Sequence, residues 1–165
     1  MYLITHVTTP ISLAVLSDLI RIRIRKAPFF SNSEYLVMGY CAVIPDMFWP
    51  DSHGIYEIGM TFTHSLVFSF LAFSGILLLS WMFYKPRPFL LRAFLFWLAS
   101  VTHLLWDVVS GGKMLLYPFS SEVLGKRIIP IGYWYAVDVL FLAVTAFLWI
   151  RVIKREKLRN DAIQF

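Results

Sequence analysis

The sequence predicts an all-α protein: a multi-pass transmembrane helical bundle of about five helical segments, the first two short, tilted or partly re-entrant. Three observations predict it. Of the 165 residues, 59% are hydrophobic and only 15% charged, and the mean hydropathy is +0.69, beyond what a water-soluble domain carries. Three predominantly apolar runs are each long enough, at about 1.5 Å per helical residue, to match a hydrocarbon core of about 30 Å. Finally, Lys and Arg gather at one end of these runs and His and Asp at the other. No Gly/Ser linker, repeat or low-complexity tract divides the chain, so residues 1–165 are expected to form a single integral membrane domain.

Taken in order, Thr9 followed by Pro10 reads as an N-cap and first-turn proline, opening a first helix that runs through Leu13 and Leu16 toward Arg21. The stretch from Arg21 to Lys26 alternates basic and apolar residues. It reads as a basic collar beside the membrane, because an isolated strand in lipid would leave its backbone unpaired. Asn32 or Ser33 is placed to cap a second helix over Glu34 to Phe48, near the lower limit of length for a span. His64 to Tyr84, Phe89 to Ser110 and Ile131 to Val152 are the three long spans. Pro28, the Pro45 to Gly54 loop, the Pro86 and Pro88 pair and the Gly111–Gly112 pair separate the elements. Pro118 to Pro130 forms a longer connection.

Charge sets the expected topology. If the five segments alternate, the ends at Arg21 to Lys26, Lys85 to Arg92 and Arg151 to Arg159 share one side and hold twelve of the fifteen Lys and Arg residues. The positive-inside rule puts that side in the cytoplasm and the histidine-bearing ends outside, with Trp49, Tyr56, Trp106, Tyr117, Tyr133 and Trp134 as the outer aromatic belt. The net charge of +5 thus sits beside apolar runs, where it meets anionic lipid headgroups rather than nucleic acid. Cys41 is the single cysteine, which excludes an intramolecular disulfide and thiolate zinc sites. No Lys or Arg precedes Arg21, so the basic n-region of a cleavable signal is lacking, and the N-terminus is read as mature.

The same alternation brings His6, Asp46, His64, His103, Asp107 and Asp138 to one level, although they lie in different segments. His103 and Asp107 are four apart on one helix face, with Cβ atoms about 5–6 Å apart, and can grip one metal or two adjacent ones. Imidazole with carboxylate suits zinc, manganese or iron. The structural alternative is a histidine simply hydrogen-bonded to its i+4 aspartate, but ionisable residues inside membrane helices are costly and mark functional sites by default. His64 alone would read as a helix-start residue. Asp46, at the negative end of the second helix, gains nothing from the macrodipole and calls for a cation. Asp138 lies inside the fifth helix and needs a metal, a histidine or a proton. His6 is weak evidence by itself, and Asp51, His53 and Glu57 read as solvated loop residues, with His53 within reach of the site.

With more than four candidate ligands, a two-metal site fits, in which a metal activates water and a second cation holds the oxygens of a phosphoryl or acyl centre. Asp46, His64, His103 and Asp107 are the candidate catalytic residues, and all six level-sharing residues are candidate metal ligands. Ser65 and Tyr117 are candidate substrate-binding residues. No nucleophile elbow, phosphate loop or dinucleotide fingerprint suggests another chemistry.

At these residues the chain resembles the YdjM-like family of bacterial inner-membrane proteins, described as metal-dependent hydrolases. The resemblance rests on Thr5 and His6, on Pro45 and Asp46, on Thr63, His64 and Ser65, on His103 through Asp107, and on Gly112 followed by Leu115, Leu116, Tyr117, Pro118 and Phe119. It implies a membrane-embedded hydrolase of the bacterial inner membrane with His6, Asp46, His64, His103 and Asp107 as its metal-site set. The His103 and Asp107 spacing is also similar to the ligand pair of zinc-dependent phospholipase C, which suggests a lipid phosphoester. Two departures stand out. Gly59, Met60 and Thr61 occupy the place of the family's His-Arg-Gly stretch, and Asp46, Met47 and Phe48 replace its Asp-x-Asp. One metal position is thereby altered, and Asp51 and His53 are the residues placed to compensate.

The expected activity is therefore hydrolysis of an amphiphilic or phosphoester substrate at the outer interface, using one or two divalent ions, zinc first. Two other readings stay open. A metal-ion or proton transporter would use the same ligands in transit, but Phe70 to Leu79, the stretch from Ala93 to Ala99, and Leu140 to Trp149 are dry where a transporter needs polar groups. A noncatalytic membrane protein would use the histidines only to tie helices together.

Overall fold

The computed structural model of the chain describes residues 3–24, 27–47, 62–83 and 89–163. Among these the regular structure is helical, apart from one isolated antiparallel bridge between Lys113 and Leu124. The helices are α1 (Leu3–Arg23), α2 (Asn32–Ala42), the single turn α3 (Ile44–Met47), α4 (Leu66–Phe83), α5 (Phe89–Ser110) and α6 (Trp134–Ile163), the last preceded by a 3₁₀ turn at Ile131–Tyr133. Three of them, α4, α5 and α6 as far as Arg159, are long and apolar enough to cross a membrane, with mean hydropathies of 2.2, 1.6 and 2.1.

The first helix corrects the sequence reading. It starts at Leu3, and Pro10 lies inside it rather than in its first turn. Pro10 lacks the N–H that would serve the His6 carbonyl. The hydroxyls of Thr8 and Thr9 donate back to the carbonyls of Ile4 (2.8 Å) and Thr5 (2.7 Å) in the turns before it. The start is held from another helix: the Asp138 carboxylate of α6 accepts from the Thr5 backbone N–H at 3.0 Å and from the Thr5 hydroxyl. His6 is therefore a residue of α1, not a residue ahead of it.

The second helix is capped one residue earlier than expected. Ser31 accepts from the Glu34 N–H, and the Glu34 carboxylate accepts from the Ser31 N–H at 2.8 Å, a complete capping box. At eleven residues, or about 16 Å, α2 is too short to cross a bilayer. The chain breaks at Val43 and restarts as α3, so Asp46 belongs to a separate helical turn rather than to the negative end of α2. Asp46 therefore does not face the negative end of the α2 dipole.

Buried pairs set the packing order. α1 and α6 run parallel, joined by Thr5 with Asp138 and by Ser12 with Thr145 at 2.6 Å. α2 packs between α1 and α5, and a Cβ on Gly39 would sit 3.0 Å from both Ile11 and Val7, so this glycine permits the close approach of α1. Val15, Tyr35, Ala42, Ala93 and Phe96 form the packed centre. At the basic end, the buried Asp18 carboxylate accepts from the N–H groups of Phe29 and Phe30 and from the Tyr35 hydroxyl. Arg92 pairs with Glu34 at 2.5 Å. Burial works against the charged Glu34 carboxylate, but the Ser31 N–H, the Arg92 guanidinium and the Ser31 hydroxyl together hold its pKa below the ordinary range.

The three long segments lie close to their predicted bounds, with two changes. α4 begins at Leu66, after His64 and Ser65, and α6 continues to Ile163, carrying Arg151, Lys154, Arg155, Lys157 and Arg159 on the helix itself. Trp106 is half-buried. Its indole donates to the Thr9 hydroxyl at 2.7 Å and stands edge-on to Phe141, inside the contact of α5 with α1 and α6.

Candidate metal centre

Four stretches of chain deliver five ligand-type side chains to one pocket. α1 brings His6, α3 brings Asp46, the turn before α4 brings His64, and the last two turns of α5 bring His103 and Asp107. His64 Nε2 lies 3.0 Å from Asp46 Oδ1, 3.3 Å from Asp107 Oδ2 and 3.4 Å from His103 Nε2. His103 Nε2 is 3.5 Å from Asp46 Oδ1 and 3.4 Å from Asp107 Oδ2, while His6 Nε2 is 3.8 Å from Asp107 Oδ1. The His6 ring stacks on His103 with centroids 4.0 Å apart. Two overlapping triads result, His6–His103–Asp107 and Asp46–His64–His103, with His103 common to both.

Each position has a local cause. Asp107 sits at the end of α5, where Gly112, with φ +84°, turns the chain, and the N–H groups of Gly111 and Gly112 both donate to its carbonyl. The connection from Lys113 to Pro130 then folds back over the site helices. Its Lys126 and Ile128 N–H groups donate to the carbonyls of Val108 and Val109, and its Leu115 carbonyl accepts from Leu66 N–H at the start of α4. That return requires Gly125, whose φ is +104° and whose added Cβ would meet the Val108 oxygen at 2.2 Å. One loop therefore ties the helix end bearing His103 and Asp107 to the helix start bearing His64.

The donor chemistry fits a divalent transition metal. Three imidazoles and two carboxylates suit zinc, and equally manganese or iron. Both ring nitrogens of His6, Nδ1 of His103 and Oδ2 of Asp107 are buried without a hydrogen-bond partner among the described residues. Buried polar atoms are rarely left so, and a cation bound at the cluster would engage His6 Nε2, which faces Asp107, and Asp107 Oδ2. His64 Nδ1 lies 3.1 Å from the Thr63 hydroxyl, which turns Nε2 toward the two carboxylates, as outer partners of ligating histidines do. Burial alone would raise the pKa of Asp46, but the neighbouring His103 and His64 imidazoles hold it below the ordinary carboxylate range.

The remaining candidates fall elsewhere. Asp138 is in neither triad; it faces Thr5, one residue before His6. Ser65 is buried and acts as the cap of α4, its hydroxyl donating to the Phe62 carbonyl at 2.7 Å and accepting from the Phe68 N–H at 3.1 Å. Tyr117 is half-buried in the loop that closes over the site, with its N–H on the Met114 carbonyl. Trp49, Asp51, His53, Tyr56, Glu57 and the segment from Gly59 to Thr61 lie outside the described residues. Sequence reasoning missed Thr63 and Thr5 as supporting residues, although each directly precedes a histidine of the site.

No curated protein and no solved structure matches the chain. A protein-family model does, that of the YdjM inner membrane protein, over residues 1–161. That match takes in all five side chains of the centre and all six helices but for the last residues of α6, and the chain belongs to the YdjM inner membrane protein family.

Proposed function

We propose that this membrane protein is a metal-dependent hydrolase that cleaves a phosphoester or lipid substrate at the membrane interface. The observation that carries this reading is the convergence of His6, Asp46, His64, His103 and Asp107, from four stretches of chain, with His6 Nε2 and Asp107 Oδ2 buried and without a hydrogen-bond partner among the described residues. A divalent ion bound there supplies Lewis acidity and activation of water near neutral pH. The chain's own residues divide the rest. His6, His103 and Asp107, all buried, hold the ion, and the stacking of His6 on His103 sets both rings. Asp46 is the most open member, its side chain 16% exposed against 5% for Asp107, so a water entering the site meets its carboxylate first. There the pair of Asp46 Oδ1 and His64 Nε2, 3.0 Å apart and with the ring oriented by Thr63, would accept between them the proton that the attacking water gives up.

The position of the centre supports an amphiphilic substrate. His64 precedes α4, and His103 and Asp107 end α5, so the cluster sits at one end of the spans, at the depth of lipid headgroups. Under the positive-inside rule this is the outer face. Purified protein loaded with zinc is expected to hydrolyse a component of a phospholipid mixture and to lose that turnover with Asp46→Asn. Turnover unchanged in that variant, or absent from wild type with every phosphoester offered, refutes the assignment.

One observation favours ion or proton transit as a second reading: polar groups continue beyond the site through Ser12 and Thr145 to Asp18 and Tyr35. Those groups, however, satisfy one another. Metal-dependent flux into liposomes without lipid hydrolysis would select this reading.

A further inference from the structure

We propose that the groove between α1 and α5 binds one acyl chain of an anionic glycerophospholipid from the leaflet at the basic ends of the helices, with the phosphate on Arg21. This inference stands apart from the metal centre and does not depend on its activity. A cavity of about 360 Å³ lies where α1 and α5 face each other beside α2, within the range of about 300–1,000 Å³ that small-ligand sites occupy. Its lining runs along α1 from Pro10 to Arg21 and along α5 from Leu91 to Thr102. Either stretch is about 16 Å long at the helical rise, close to half of a hydrocarbon core of about 30 Å. The groove thus has the length of one leaflet's chains.

Its chemistry points the same way. The Thr102 hydroxyl turns inward to the Ala99 carbonyl at 2.7 Å, which leaves the wall near the membrane centre apolar. Leu13 and Leu91 at the rim are exposed, so the groove opens sideways, where a lipid can enter. At the basic end Arg21 donates from Nε to the Ala27 carbonyl at 3.1 Å and lies over the Phe29 ring, 5.6 Å from its centroid. These contacts fix the guanidinium at the mouth, and no carboxylate pairs with it among the described residues. The nearby Asp18 carboxylate is engaged by the Phe29 and Phe30 N–H groups and the Tyr35 hydroxyl. A guanidinium held above an apolar slot matches a headgroup phosphate followed by a hydrocarbon chain.

The test is native mass spectrometry of the full chain in detergent, titrated separately with dioleoyl phosphatidylglycerol and dioleoyl phosphatidylcholine. Wild type is expected to retain one phosphatidylglycerol at activation energies that strip phosphatidylcholine. Ser17→Trp, which fills the groove from an exposed position, should weaken that retention at least tenfold, whereas Leu16→Trp, outside the lining, should leave it unchanged. Arg21→Gln should abolish the preference between the two lipids while a chain still binds. Equal retention of both lipids by wild type, full retention in Ser17→Trp, or equal loss in both tryptophan variants overturns the proposal.

Discussion

The Asp138 carboxylate on α6 accepts from both the backbone N–H and the hydroxyl of Thr5 on α1, one residue before His6. A carboxylate that the sequence offered as a candidate metal ligand caps the start of the helix that carries His6. α1 begins without an acidic residue in its own first turn, so the orphan N–H groups at its start depend on a neighbour. Asp138→Ala should therefore lower metal affinity by about 10–100-fold, the range for loss of a supporting partner, without abolishing binding. Asp138→Asn, which keeps an acceptor oxygen, should lose less. Competition against a chelating dye measures both, and loss of all metal in Asp138→Asn would return Asp138 to the ligand set.

Thr63 fixes the direction of His64. Replacing its hydroxyl by a methyl group in Thr63→Val should weaken metal binding by about tenfold or more, while Thr63→Ser should bind as wild type does. Identical affinities for the Val and Ser variants would show that the contact between Thr63 and His64 has no part in positioning the ring.

Gly125 allows the closing loop to reach the end of α5. Gly125→Ala meets the Val108 oxygen in a backbone conformation of φ +104°, and should cost about 1–3 kcal/mol or more. Gly132, with nothing within 4 Å of an added Cβ, should tolerate alanine within about 0.5 kcal/mol. Thermal unfolding in detergent separates the two; equal melting temperatures would contradict the described loop.

The pair of Glu34 and Arg92 supplies a pH dependence. Since the folded-state pKa of Glu34 is depressed, its stabilisation is fully present above the unfolded value of about 4.3 and is lost as pH falls through the folded value. The melting temperature should hold steady from this group between about pH 7 and pH 5 and fall at lower pH. In Glu34→Gln the acid limb should flatten and the neutral-pH stability should drop by a few kcal/mol, because the buried Arg92 loses its charged partner. An acid limb unchanged in Glu34→Gln would rule out this origin.

Much of this architecture was legible in the residues alone. α4, α5 and α6 show themselves through apolar length, and the shared level of His6, Asp46, His64, His103 and Asp107 follows from alternating helix direction without knowledge of any contact. What stayed hidden depends on partners distant in sequence. Pro10 suggests a helix start because proline favours first turns, and the cap that holds the earlier start of α1 comes from Asp138, far along the chain. Ser31, Asn32 and Ser33 are all good caps, and Glu34 decides among them only through the reciprocal bond of the capping box. Asp138 and Asp46 look alike as membrane-level carboxylates; which of them reaches the histidines is a matter of helix rotation, which spacing within one segment does not reveal.

The most direct test of the central claim is elemental analysis of the purified chain, wild type beside the His103→Ala, Asp107→Ala double variant, each confirmed as folded by its melting transition. Wild type is expected to carry at least one divalent transition metal per chain and the double variant none, because both triads share His103. A folded double variant that keeps its full metal content, or a wild-type chain that binds none when zinc, manganese and iron are supplied, contradicts that claim.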